Sequence, residues 1–115
     1  MYQFSYTDVL EDTPQYNRVN ERRAIERSIE LLRKAEAAGP RSVDAVQALE
    51  FVMRLWSIVL EDLAKPDNEL PKELRASIIS IGLWILGEAE QIRQDRSANF
   101  AGIIAVSQSI ADGLQ

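Results

Sequence analysis

Apolar residues recur at the spacing of an α-helix along most of this chain, and no stretch alternates apolar and polar residues as a β-strand would. A period of 3.6 residues places such positions on one face of a helix. The clearest stripe lies in the middle of the chain and contains Leu49, Val52, Met53, Trp56, Val59, Leu60 and Leu63. The pattern predicts an all-α fold.

Prolines, glycines and capping residues divide this pattern into separate helices. Thr13-Pro14 favours a helix start, Gly39-Pro40 a stop, and Ser42 a second start. Pro66 and Pro71 bracket a loop before a third helix. We expect one domain over residues 1–115, a small antiparallel bundle with a short N-terminal turn at residues 5–10. Its three long helices and short C-terminal helix are expected at about 14–38, 42–64, 71–96 and 99–113.

The second and third helices carry more apolar surface than one stripe requires. In the second helix, a further apolar line consists of Ala48, Phe51, Leu55 and Ile58. A helix that is apolar nearly all round is either central in the fold or offers a face to a partner. In the third helix, Gly82 and Gly87 each cost about 1 kcal/mol relative to alanine. Glycine within a helix often permits close approach of another helix.

The composition excludes most catalytic chemistry, because the chain contains neither cysteine nor histidine. Disulfides, thiolate or histidine metal sites and Ser-His-Asp triads are therefore impossible. The glycines do not form a phosphate-binding loop. We expect a protein that is not an enzyme, with no catalytic residue, metal, cofactor or small-molecule substrate.

No leader sequence or long apolar segment is evident. The N-terminus lacks a basic region followed by an apolar core. The most apolar stretch, Ile78 to Leu86, is about half the ~20 residues needed to span a bilayer. We expect a cytoplasmic protein without membrane contact.

Charge is distributed unevenly. The formal net charge is −5, yet the segment from Arg18 to Lys34 carries a net charge of +3. The candidates for contact with nucleic-acid phosphates are Arg18, Arg22, Arg23 and Arg27. Three interleaved glutamates favour the alternative, an ordinary charged outer face.

The two tryptophans are the remaining candidates for a binding site. Trp56 is in register with Val52 and Val59, which favours a core position. Trp84 lies off the main stripe of its helix, and the core edge and an exposed interaction site are equally open for it. Tryptophan is enriched at binding hot spots.

The chain resembles the FlaF family of flagellar biosynthesis regulators over essentially its full length. The match rests first on Arg54-Leu55-Trp56 and on Asn68, Leu70, Pro71, Leu74 and Arg75 in the segment between the second and third helices. Trp84 and the C-terminal Ile110-x-x-Gly113-Leu114 add to it. These motifs are structural rather than catalytic.

This resemblance implies a regulator of flagellin synthesis and secretion in bacterial flagellum assembly. We favour a flagellin-binding export chaperone, with Leu55, Leu83 and Trp84 contacting flagellin through a groove on the second and third helices. The alternative is a post-transcriptional regulator that acts on flagellin mRNA, directly or through the second regulator FlbT. The spare apolar surface also leaves a homo-oligomer open.

Overall fold

The computed structural model describes residues 14–113, with side chains from Glu21 onward. The described chain forms four α-helices, which are α1 (Pro14–Ala38), α2 (Val43–Leu63), α3 (Lys72–Arg93) and α4 (Phe100–Gly113). No strand occurs in residues 14–113, which confirms the all-α fold class. The short turn expected at residues 5–10 lies outside the described residues.

The connection between α1 and α2 is short because both helix ends are capped locally. Gly39 has a φ of +106°, a left-handed conformation that suits glycine after a helix end. The Ser42 hydroxyl donates a 2.7 Å hydrogen bond to the Gly39 carbonyl. The same hydroxyl oxygen accepts a hydrogen bond of 3.0 Å from the Ala45 N–H, so Ser42 caps α2.

Helix α3 ends at Arg93, earlier than the expected residue 96. The Arg96 N–H donates to the Gln91 carbonyl at 2.8 Å, and the Asp95 N–H donates to the Ile92 carbonyl at 3.0 Å. These two bonds are the Schellman pattern of a helix C-terminus. Asp95 takes the left-handed position, with a φ of 62°. Glycine is the usual residue in this conformation, and no glycine marks the end of α3 in the sequence.

The helices pack around one shared core. Helix α1 contacts both α2 and α4, α2 also contacts α3, and the contact between α3 and α4 is the smallest of the four. Helix α2 therefore packs against neighbours on two sides, α1 and α3, which accounts for its two apolar lines. Among the largest fully buried side chains are Trp56, Phe100, Ile25, Leu32, Leu55, Ile85, Ile92 and Ile103.

Trp56 lies at the contact between α2 and α3, and its side chain is 0% exposed. A Cβ atom at Gly82 would lie 2.8 Å from Cε3 of Trp56 and 2.9 Å from Cδ2 of Leu60. Glycine at this position thus permits the close approach of α3 to α2. On α3, Ile78 and Ile85 are buried in the core, whereas Ile81 is only partly buried.

Candidate protein-binding surface

The outer surface of α3 is uncharged over more than three turns. None of the twelve residues from Ala76 to Gly87 carries a charge. The residues of this stretch that are exposed are Ala76, Ser77, Ser80, Leu83, Trp84 and Gly87, and we refer to them as the α3 outer face. Solvent-facing helix surfaces normally carry charged and polar side chains. An uncharged face with two large apolar side chains is therefore a candidate contact surface.

Leu83 and Trp84 are the large apolar residues of this face, with 59% and 42% of their surface exposed. Because successive helical residues are about 100° apart, the two side chains lie on different sides of the face. Gly87 lies about one turn beyond both. Around the helix axis, Gly87 points between the directions of Leu83 and Trp84, so the two large side chains lie on either side of a position without a side chain.

Trp84 lies close in helical register to Glu88, whose side chain contacts the residue before α4. It precedes Glu88 by one turn, and Oε1 of Glu88 accepts a 3.2 Å hydrogen bond from Nδ2 of Asn99. Asn99 immediately precedes α4, and its Oδ1 accepts a hydrogen bond from the Gly102 N–H at 3.0 Å. Helix α4 is almost uncharged as well, since Asp112 is the one charged residue between Phe100 and Gly113.

Glu88 and Glu90, the two carboxylates that follow the α3 outer face, both accept hydrogen bonds from other side chains. Glu90 accepts hydrogen bonds from Nε of Arg93 at 2.8 Å and from Nε2 of Gln94 at 2.5 Å. The bond from Arg93, followed by that from Gln94, lowers the pKa of Glu90 to about 2. Glu90 therefore stays ionised and engaged within its own helix end at any physiological pH.

The expectation that Leu55 contacts a partner is wrong. Leu55 has 1% of its surface exposed and belongs to the core. Helix α2 lies against both α1 and α3, so its second apolar line is covered within the fold. Leu83 and Trp84 remain as exposed candidates, and both lie on α3.

The family-motif residues after α2 organise its connection to α3. Nδ2 of Asn68 donates to the Asp62 carbonyl at 3.3 Å and to Oδ2 of Asp62 at 3.1 Å. Oδ1 of Asn68 accepts a 3.0 Å hydrogen bond from the Leu70 N–H. Leu70 is partly buried against the core. Asn68 thus ties the end of α2 to the residue that anchors the loop.

Pro71 and Arg75 fix the start of α3. Pro71 occupies the N-cap position, one residue before the helix, and its carbonyl accepts a 2.9 Å bond from the Arg75 N–H. Nη1 of Arg75 donates to the Lys65 carbonyl at 3.4 Å. Leu74 is exposed one turn into the helix. In this structure Asn68, Leu70, Pro71 and Arg75 hold the loop.

Burial affects one carboxylate in this connection. The partial burial of Asp62 raises its pKa, while the charge of Lys65 and the hydrogen bond from Asn68 act in the opposite direction.

The remaining motif residues of α2 divide between surface and core. Arg54 is exposed among the charged residues of the outer surface of α2. Trp56 is wholly buried, and no atom of the described structure accepts a hydrogen bond from its Nε1.

The candidate arginines of α1 do not form one stripe. The side chain of Arg18 lies outside the described part, and Arg22 is partly buried. Arg23 and Arg27 are exposed one turn apart, but Nη1 of Arg27 pairs with Oε1 of Glu30 at 2.9 Å. Arg22 and Arg23 point about 100° apart because they are adjacent in a helix. The outer surface of α1 carries mixed charge.

Neither a candidate metal site nor a candidate membrane span occurs among the described residues. No group of three or more acidic side chains is placed to hold a metal ion in the described part of the chain. No helix within residues 14–113 is both long and apolar enough to cross a membrane.

These features define a small all-α protein with a charged outer surface on α1 and α2 and an outer surface on α3 that is uncharged from Ala76 to Gly87. A sequence model of the family described as flagellar protein FlaF matches residues 2–114. The chain belongs to the FlaF family, which confirms the resemblance found in its motifs. No curated protein and no solved structure shows significant similarity to it.

Proposed function

We propose that this flagellar protein binds flagellin before export, as a cytoplasmic chaperone that acts by binding and catalyses no reaction. The observation that carries the proposal is the α3 outer face, where Leu83 and Trp84 are exposed on a helix surface without charge. The terminal segments of flagellin are amphipathic helices that pack only in the filament. Before export, these apolar stripes are exposed to water unless a binding partner covers them.

The α3 outer face suits such a stripe for two reasons. Its large side chains supply apolar area at a position where the fold does not use it, as a helix-in-groove contact requires. Because the face carries no charge, a docking helix does not desolvate an unpaired charged group. Such desolvation would oppose binding. The outer surface of α2 also exposes apolar side chains, Val43 and Val46, but it carries charged residues, as does the outer surface of α1, so neither has the second property.

A second hypothesis, regulation of flagellin mRNA directly or through FlbT, is favoured by the exposed Arg23 and Arg27 on α1. Contact with phosphates releases counterions, so direct RNA binding weakens steeply as salt rises. Binding of an apolar helix stripe changes little with salt. Salt dependence therefore separates the two hypotheses.

The test measures binding of purified flagellin monomer to the wild-type protein and to Trp84→Ala. We expect Trp84→Ala to weaken flagellin binding by about thirty-fold, since the loss of a tryptophan anchor typically costs about 2 kcal/mol or more. The circular dichroism spectrum should not change, because Trp84 is a surface residue.

Two variants serve as controls. Val43→Ala also truncates an exposed apolar side chain, but at the start of α2, and it should leave flagellin binding unchanged. The double variant Arg22→Ala, Arg23→Ala should likewise have no effect. The chaperone proposal is wrong if the protein binds RNA in a salt-sensitive manner and the arginine variant loses the protein's regulatory function.

A further inference from the structure

Gly87 occupies an exposed helical position for which the fold supplies no reason. A Cβ atom at Gly87 would meet no atom within 4 Å, and the backbone there is not left-handed. Alanine would fit without strain, and it stabilises a helix relative to glycine. Glycine at position 87 therefore destabilises the helix relative to alanine, and no contact within the described structure requires it.

Gly82, five residues earlier, shows what a glycine does in this helix. A Cβ atom there would lie 2.8 Å from Trp56 and 2.9 Å from Leu60, so glycine admits two bulky side chains from α2. Five helical steps rotate the chain by about 140°, which places Gly87 on nearly the opposite side of α3. The helix thus has one glycine on its packed face and one on its outer face.

We infer that Gly87 is the point of closest approach for the partner helix, which places a bulky apolar side chain over Gly87 as Trp56 does over Gly82. This inference rests on the proposed function and names the contact made at the same surface. Leu83 and Trp84 lie one turn before Gly87, so the incoming side chain contacts apolar side chains on that side, while Glu90 and Gln91 lie one turn after it.

The uncharged surroundings define the chemistry of that side chain. No charged residue lies between Ala76 and Gly87, and the two carboxylates just beyond, Glu88 and Glu90, already accept hydrogen bonds from side chains of this protein. A charged group brought over Gly87 would therefore lose its hydration without meeting an unengaged partner. A large aliphatic or aromatic side chain meets no such penalty. The occupant is therefore the apolar stripe of an amphipathic helix, with a bulky residue at its centre.

The test uses Gly87→Ala and Gly87→Leu in the full-length protein, with flagellin monomer as the probe. Gly87→Ala should raise Tm by about 4 °C, because helix propensity improves and nothing clashes. It should nevertheless weaken flagellin binding by about tenfold, and Gly87→Leu by about a hundredfold, since overpacking an interface is destabilising. A gain in stability with a loss of affinity is the expected signature.

Two matched variants isolate the position. Gly82→Ala adds the same methyl group on the packed face of α3 and should lower Tm. Ser57→Ala introduces alanine at an exposed site on the charged outer surface of α2 and should leave affinity unchanged.

The outcomes separate this inference from the proposed function. If Trp84→Ala weakens binding but Gly87→Ala does not, the inference about Gly87 is wrong and the proposed function stands. If neither variant affects flagellin binding, both are wrong. A fall in Tm for Gly87→Ala would reveal an internal role for the glycine and would also overturn the inference.

Discussion

Helices α1 and α2 present exposed charged residues along their outer surfaces, whereas α3 presents none between Ala76 and Gly87, and α4 carries Asp112 alone. Both pairs of helices bury an apolar face in the same core, so the difference is confined to the side that faces solvent. A charge at Leu83 or Trp84 would not disturb that core. This comparison shows that packing in the core does not determine how many charged residues the outer faces carry. The absence of charge on α3 is better explained by a contact outside the fold.

The two tryptophans, one in each pair of helices, give the largest expected difference. Trp56→Ala should lower the free energy of unfolding by about 3–5 kcal/mol, because it empties a large site in the core. Trp84→Ala should lower it by less than about 1 kcal/mol, as expected for a surface substitution. Urea denaturation followed by circular dichroism measures both values. Equal losses would show that Trp84 supports the fold, and the contrast between the helix pairs would fail.

Leu70 lies in the loop between α2 and α3, which connects the two pairs of helices. Leu70→Ala should lower the free energy of unfolding by about 1–3 kcal/mol, the cost of losing part of a packed leucine. The same urea titration measures it, with exposed Leu74→Ala as the matched control that should cost less. A Leu70 variant as stable as the wild-type protein would mean that this leucine contributes to a partner contact instead.

Asp62 gives the smallest expected effect and depends on pH. Burial raises the pKa of Asp62, so the folded state disfavours the charged carboxylate. That penalty is fully present above the folded pKa and fades as pH falls through it. Asp62→Asn removes the charge and keeps an oxygen to accept the bond from Asn68. The variant should be slightly more stable than the wild-type protein at pH 7.

This stability difference should shrink when the urea titration is repeated below the raised pKa, where the wild-type carboxyl is protonated. Glu61→Gln, an exposed change one residue earlier, is the control and should show no comparable pH dependence. A variant less stable than the wild-type protein at pH 7 would contradict this account. It would mean that the charge of Asp62 strengthens its bond with Asn68 by more than burial costs.

Most helix boundaries can be predicted from the sequence because they depend on local chemistry. Gly39, Ser42 and Pro71 act on the few residues around them, and the helices begin and end close to where these residues predict. The end of α3 was missed because Asp95 holds a backbone conformation that usually belongs to glycine.

The partner surface could be predicted only in part. Periodicity shows which sides of a helix are apolar, but not how many neighbouring helices cover them. Leu55 is an example, since α1 and α3 both pack against α2 and Leu55 is buried. Periodicity also leaves the exposure of Trp84 open, because exposure depends on contacts between residues far apart in the sequence.

The packing of α1 against α4 has a consequence for biosynthesis. The ribosome makes α1 well before α4, with all of α2 and α3 in between, yet these two helices share an extensive contact. Chains emerge at about 5–20 residues per second, so the α4-facing side of α1 stays uncovered for seconds during translation. Closing so long a loop also slows folding relative to pairing neighbouring helices. The nascent protein therefore completes its core only after α4 has left the ribosome, and a chain stalled before that point would expose apolar surface on α1.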